Sequence, residues 1–207
     1  MFNIHWKGKY KSEEDLIQNE KLPNNSVQFK EGENFSQAFG MGLLLELPLI
    51  IPIIIITIIR FKSMNIILDM NIKTGIVFAI TIIIMQLLTY IHEIIHAMFY
   101  SKKAEKTIWK YPERGAYFIY CNEKVSKIRF IILCIAPTVI LGIIPFFIWL
   151  LFANKIPMPF NLSFVFITWI MIIMSMGDFT NIYNAIRQVP KGAKIFNYGL
   201  HSYWLKD

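Results

Sequence analysis

The sequence predicts an all-α membrane fold of about four transmembrane helices with a short interfacial β-hairpin, and three observations predict it. The 207-residue chain is 55% hydrophobic, with a mean hydropathy of +0.47, above the usual balance of a soluble globular domain. Four runs, 38–59, 74–99, 130–153 and 156 to about 186, reach the roughly 20 apolar residues that crossing a bilayer requires. The polar stretch 101–129 holds two segments rich in aromatic and β-branched residues, on either side of Pro112-Glu113-Arg114-Gly115. That is the pattern of two short strands and a turn.

In chain order, residues 1–37 form a polar N-terminal segment without recognisable chemistry, in which Glu13 to Lys21 is expected to be a short surface helix capped by Ser12. No apolar core of a cleavable signal precedes residue 38, so the first run is itself the expected entry signal. That run carries Glu46, and Pro48 and Pro52 predict a kink in it. The third run holds Ala136-Pro137, Gly142 and Pro145, which predict a bend. The fourth ends in Gly177-Asp178-Phe179-Thr180-Asn181 before Arg187 and Lys191. The expected organisation is thus 1–37, a four-span domain over 38–187, and a tail over 188–207. Cys121 and Cys134 do not make a disulfide framework, and Cys134 reads as a small packing residue.

The charge distribution gives an orientation. With four spans, the N-terminal segment, the 101–129 loop and the tail share one side and, with Arg187 just before the tail, carry 17 of the 21 lysines and arginines. The positive-inside rule then puts both termini in the cytoplasm of a multi-pass protein of the cell membrane. The net charge of +7 reads as basic loops beside anionic headgroups rather than as a nucleic-acid footprint.

The chemistry is concentrated at the end of the second run, in His92-Glu93-Ile94-Ile95-His96. This is H-E-x-x-H, in which helical spacing stacks two imidazoles on one face where they can share a metal ion, with a glutamate in reach of its water. With 4 His and 10 Glu in 207 residues, a chance match has a probability of about 0.4 per cent. Residues 74–91 carry no charge, so these ionisable groups end a membrane-grade helix, where such groups are functional candidates. A hydrolytic zinc site takes three protein ligands and keeps a position for water. Asp178 lies at the matching depth of the fourth span, with Ser175 and Asn181 three residues to either side as hydrogen-bonding neighbours. Glu46 is its competitor and His201 a more distant one.

His92-Glu93-Ile94-Ile95-His96, Ala136-Pro137, Gly177-Asp178 and the tail Val189-Pro190-Lys191-Gly192-Ala193 with Gly199 and Tyr203-Trp204 together resemble the bacterial zincin-type membrane metallopeptidases, a family catalogued largely as a domain of unknown function. The resemblance covers about residues 75–205 and implies zinc held by His92, His96 and Asp178, with Glu93 as the catalytic base. A more distant similarity is to site-2-protease-type intramembrane metalloproteases, but Gly177-Asp178-Phe179 lacks that class's longer Asn-Pro-Asp-Gly context. The expected function is a membrane-embedded zinc metallopeptidase acting near the cytoplasmic face, with the bilayer and a protein or peptide substrate as partners. The alternative is a non-proteolytic multispan protein, a transport accessory or structural partner, with a vestigial metal site. An intact Glu93 weighs against it, because a purely structural zinc site needs no base.

Overall fold

A computed structural model describes residues 3–17, 21–31, 35–64 and 71–206. It is mostly helical, with four helical stretches long and apolar enough to cross a membrane: Gly40–Lys62, Ile72–Met98, Lys127–Lys155 and Met158–Gln188. In element terms these are α2 (Phe35–Lys62), α3 (Ile72–Met98), α4 (Lys127–Pro137) with α5 (Ile144–Phe152), and α6 (Met158–Ile173) with α7 (Met176–Gln188).

Local sequence explains the breaks. The helix α2 continues through Pro48 and Pro52, the positions where a kink is expected, and it packs against α6 and α7. The third stretch does change geometry after Pro137, passing through a π-helical turn at Thr138–Ile143 before α5 begins with Pro145 in its first turn. The fourth is broken at Met174-Ser175, so α7 starts afresh just before Asp178. Asn161 ties α5 to α6, since its side-chain oxygen accepts from Trp149 Nε1 at 2.6 Å while its amide donates to the Ala153 carbonyl at 2.6 Å. Each such bond contributes about 1 kcal/mol net. One close approach fixes the start of α7: a Cβ on Gly42 of α2 would collide with the Met176 carbonyl.

The β structure is larger than the single hairpin expected. The hairpin itself is present, as β3 (Lys106–Tyr111) and β4 (Ala116–Tyr120) joined through Pro112–Arg114 and a left-handed Gly115 at φ 60°. A third strand, β1 (Ile4–Lys9), pairs parallel to β3, giving the order β1-β3-β4 with β4 at an edge. A second sheet has the order β2-β7-β6-β5, built from Val27–Gln28, His201–Leu205, Lys194–Tyr198 and Val125–Ser126. The fold is therefore helical with two small sheets rather than all-α. The helix expected over residues 13–21 is described only as the single turn α1 (Glu14–Ile17), because residues 18–20 lie outside the described residues. Leu16 of that turn is buried against Trp109 and Tyr120. The connector between α2 and α3 lies partly outside them too.

The two sheets and the ends of the helices enclose one cluster of buried apolar side chains, among them Tyr100, Cys121, Phe130, Cys134 and Ile195. The C-terminal end of α3 and the N-terminal turn of α7 meet next to it.

Candidate metal centre

The centre is built on the last turns of α3. His92 and His96 are 7% and 5% exposed and stack one turn apart, with their Nε2 atoms 3.1 Å from each other. The end of this helix is fastened from outside: Arg129 of α4 donates Nε–H to the Phe99 carbonyl at 2.7 Å, and Glu123 accepts from the Ser101 amide at 2.7 Å. Asp178, in the first turn of α7, brings Oδ2 to 3.2 Å from His92 Nε2 and Oδ1 to 3.3 Å from His96 Nε2. α7 is held there by packing on α4 and α2.

The donor chemistry fits a zinc ion. His96 Nδ1 lies 2.9 Å from the Leu133 carbonyl, which can only accept, so Nδ1 carries the hydrogen, and in the neutral ring this leaves the lone pair on Nε2. Two imidazoles and a carboxylate thus converge, each offering one ligand atom within 4.8 Å of the others. In a tetrahedron with zinc at about 2.0–2.1 Å from nitrogen or oxygen, neighbouring ligands are about 3.3 Å apart. The Nε2–Nε2 separation of 3.1 Å is close to such an edge, and the two Asp178 oxygens stand one against each imidazole, at 3.2 and 3.3 Å.

Glu93 points elsewhere. Its Oε2 accepts a 2.9 Å bond from the backbone N–H of Ile119 on β4. Ile119 stands opposite Ile108 in the β3–β4 ladder, and its amide faces the open side of the edge strand. Between β4, α3 and α7 lies a cavity of about 270 Å³ lined by His92, Glu93, His96, Ile119 and Asp178. Gly177 also lines it, and a Cβ there would meet nothing within 4 Å.

The other sequence candidates are not in this cluster. Glu46 is fully buried on α2, and neither of its carboxylate oxygens has a hydrogen-bond partner among the described residues. His201 lies in β7 with Nδ1 2.8 Å from Glu31. Ser175, expected to hydrogen-bond Asp178, instead donates to the Met171 carbonyl at 3.2 Å, the usual back-bond of a helical serine. Asn181 does line the cavity.

Sequence reasoning missed two contributors to the cavity wall, Tyr100 and Asn197. They share a hydrogen bond, and burial raises the Tyr100 phenol well above the usual tyrosine range, so it stays protonated. Tyr100 lies beside the motif, whereas the partner that marks it comes from β6, nearly a hundred residues away.

A family model described as "putative zincin peptidase" matches residues 85–194, which contain His92, Glu93, His96, Pro137 and Asp178. No curated protein and no solved structure matches the chain. Since the match covers more than half of the 207 residues, the chain belongs to the family of putative zincin peptidases.

Proposed function

We propose that the chain is a membrane-embedded zinc metallopeptidase that hydrolyses peptide bonds near the cytoplasmic face, with His92, His96 and Asp178 as ligands and Glu93 as the catalytic base. The observation that carries this reading is the convergence of His92, His96 and Asp178, each offering one ligand atom within 4.8 Å of the others, a donor set that suits zinc. When bound, zinc supplies Lewis acidity and brings the pKa of water toward about 7.

The chain's own groups do the rest. Glu93 is held through Oε2 by the Ile119 amide, which leaves Oε1 to take a proton from the attacking water and return it to the leaving amine. The open edge of β4 offers backbone groups to an extended peptide, and strand addition there would lay the peptide along the cavity beside Glu93. Tyr100, protonated and on the cavity wall, is a candidate donor to the developing oxyanion.

The membrane setting is supported by the four long apolar stretches. Both sheets grow from the same ends of these stretches as the histidines and Asp178. That end carries the excess of lysine and arginine, which favours the cytoplasmic side for the site, both termini and the 188–207 tail.

The test is metal removal. Chain purified in detergent should contain about one zinc and cleave an unstructured protein substrate. Dialysis against a chelator should abolish cleavage, and zinc should restore it. Cleavage that persists after complete zinc removal would overturn the reading.

A further inference from the structure

Pro137 ends α4 and has no backbone N–H. In an α-helix the amide of residue 137 would serve the carbonyl of residue 133. The carbonyl that proline leaves without a helical donor is therefore that of Leu133. It is the same carbonyl that His96 Nδ1 meets at 2.9 Å. The next amide does not claim it, because the N–H of Thr138 turns to the Ile135 carbonyl. Beyond it the chain enters the π-helical turn Thr138–Ile143. Leu133 and His96 are each 5% exposed, so the contact between them is buried.

We propose that Pro137 is a positioning residue for the metal centre: by withholding an amide it reserves the Leu133 carbonyl for His96, and so sets the tautomer that turns Nε2 toward His92 and Asp178. The inference rests on the zinc reading above. A proline present only to bend a span would free a carbonyl in the same way, but nothing would require that carbonyl to meet a metal-ligand candidate on another helix. Here the freed acceptor and the imidazole that needs one coincide. An alanine at 137 would return an N–H to the helix and draw the Leu133 carbonyl back along the helix axis, in competition with His96.

The experiment compares the natural chain with Pro137→Ala and with an ester variant in which residue 137 is lactic acid, the α-hydroxy analogue of alanine. The ester lacks the N–H, as proline does, but also lacks the ring. Two quantities are read: zinc affinity, by competition with a chromogenic chelator, and the ¹⁵N shifts of the His96 imidazole in metal-free protein. Groups that orient a metal-bound histidine typically change affinity by about 10- to 100-fold. Pro137→Ala should weaken zinc by that factor and shift His96 from the Nδ1–H form toward a tautomer mixture. The ester variant should match the natural chain in both.

Equal weakening in both variants would assign the effect to the proline ring and overturn the proposal, as would wild-type behaviour of Pro137→Ala. A tautomer shift in Pro137→Ala alone, in a chain that binds no zinc even in its natural form, would uphold the positioning role and overturn the zinc reading instead.

Discussion

Replacing Asp178 with alanine removes the one carboxylate from a cluster whose other members are imidazoles. The structure sets the size of the effect. Asp178 meets His92 through Oδ2 at 3.2 Å and His96 through Oδ1 at 3.3 Å, so its removal leaves only the histidine pair at 3.1 Å. Groups that merely orient a ligand are worth about 10- to 100-fold in affinity, and a ligand is worth at least the upper figure. Asp178→Ala should therefore weaken zinc at least about 100-fold, or about 2.8 kcal/mol at 1.4 kcal/mol per decade. Asp178→Glu keeps the charge but adds a carbon–carbon bond of about 1.5 Å, which overshoots those distances, so an intermediate loss is expected. The assay is chelator competition in detergent, with circular dichroism to show that the helices persist. Glu46→Gln serves as the control and should keep zinc, because Glu46 is buried on α2 outside the cluster. Undiminished affinity in Asp178→Ala, or loss of zinc in Glu46→Gln, would refute the assignment.

Two further outcomes are expected. Ile119→Pro deletes the N–H that holds Glu93 Oε2 at an edge-strand position where no ladder bond is lost. A hydrogen bond to a charged group is worth about 1.5–3 kcal/mol, so cleavage should fall by about 10- to 100-fold while zinc content stays unchanged; loss of zinc would contradict the separation of Glu93 from the ligands. For topology, Ser63→Cys should be labelled by a membrane-impermeant maleimide added to intact cells, whereas Glu113→Cys should react only after permeabilisation. The two native cysteines are buried. Labelling of Glu113→Cys from outside would reverse the orientation.

The parts of this site legible in the sequence are those written in side chains at a fixed helical spacing. His92, Glu93 and His96 follow from the period of one helix, and Asp178 from its depth in another. The parts that were not legible are backbone groups. The Leu133 carbonyl and the Ile119 amide carry no letter of their own, although Pro137, four residues after Leu133, was a visible trace of the first. Ser175 was misread because its spacing from Asp178 equally suits a bond to its own helix. The sheets were under-read for a different reason. Ile4-His5-Trp6-Lys7-Gly8-Lys9 alternates apolar or small residues with polar ones, as a half-buried strand does, yet its lysines dominate a reading by composition. Its partner strand lies about a hundred residues away, and long-range parallel pairing leaves no local signature. The tail hairpin of β6 and β7 turns at a left-handed Gly199, a signal that was available.

The most direct measurement is Glu93→Gln beside the natural chain, with zinc content and peptide cleavage determined on the same preparations. Glu93 contacts the Ile119 amide and is not among the clustered ligand atoms, so the variant should retain about one zinc per chain. Loss of the general base should lower cleavage by at least about 10²- to 10⁴-fold. A Glu93→Gln chain that binds zinc and cleaves at the natural rate would contradict the account.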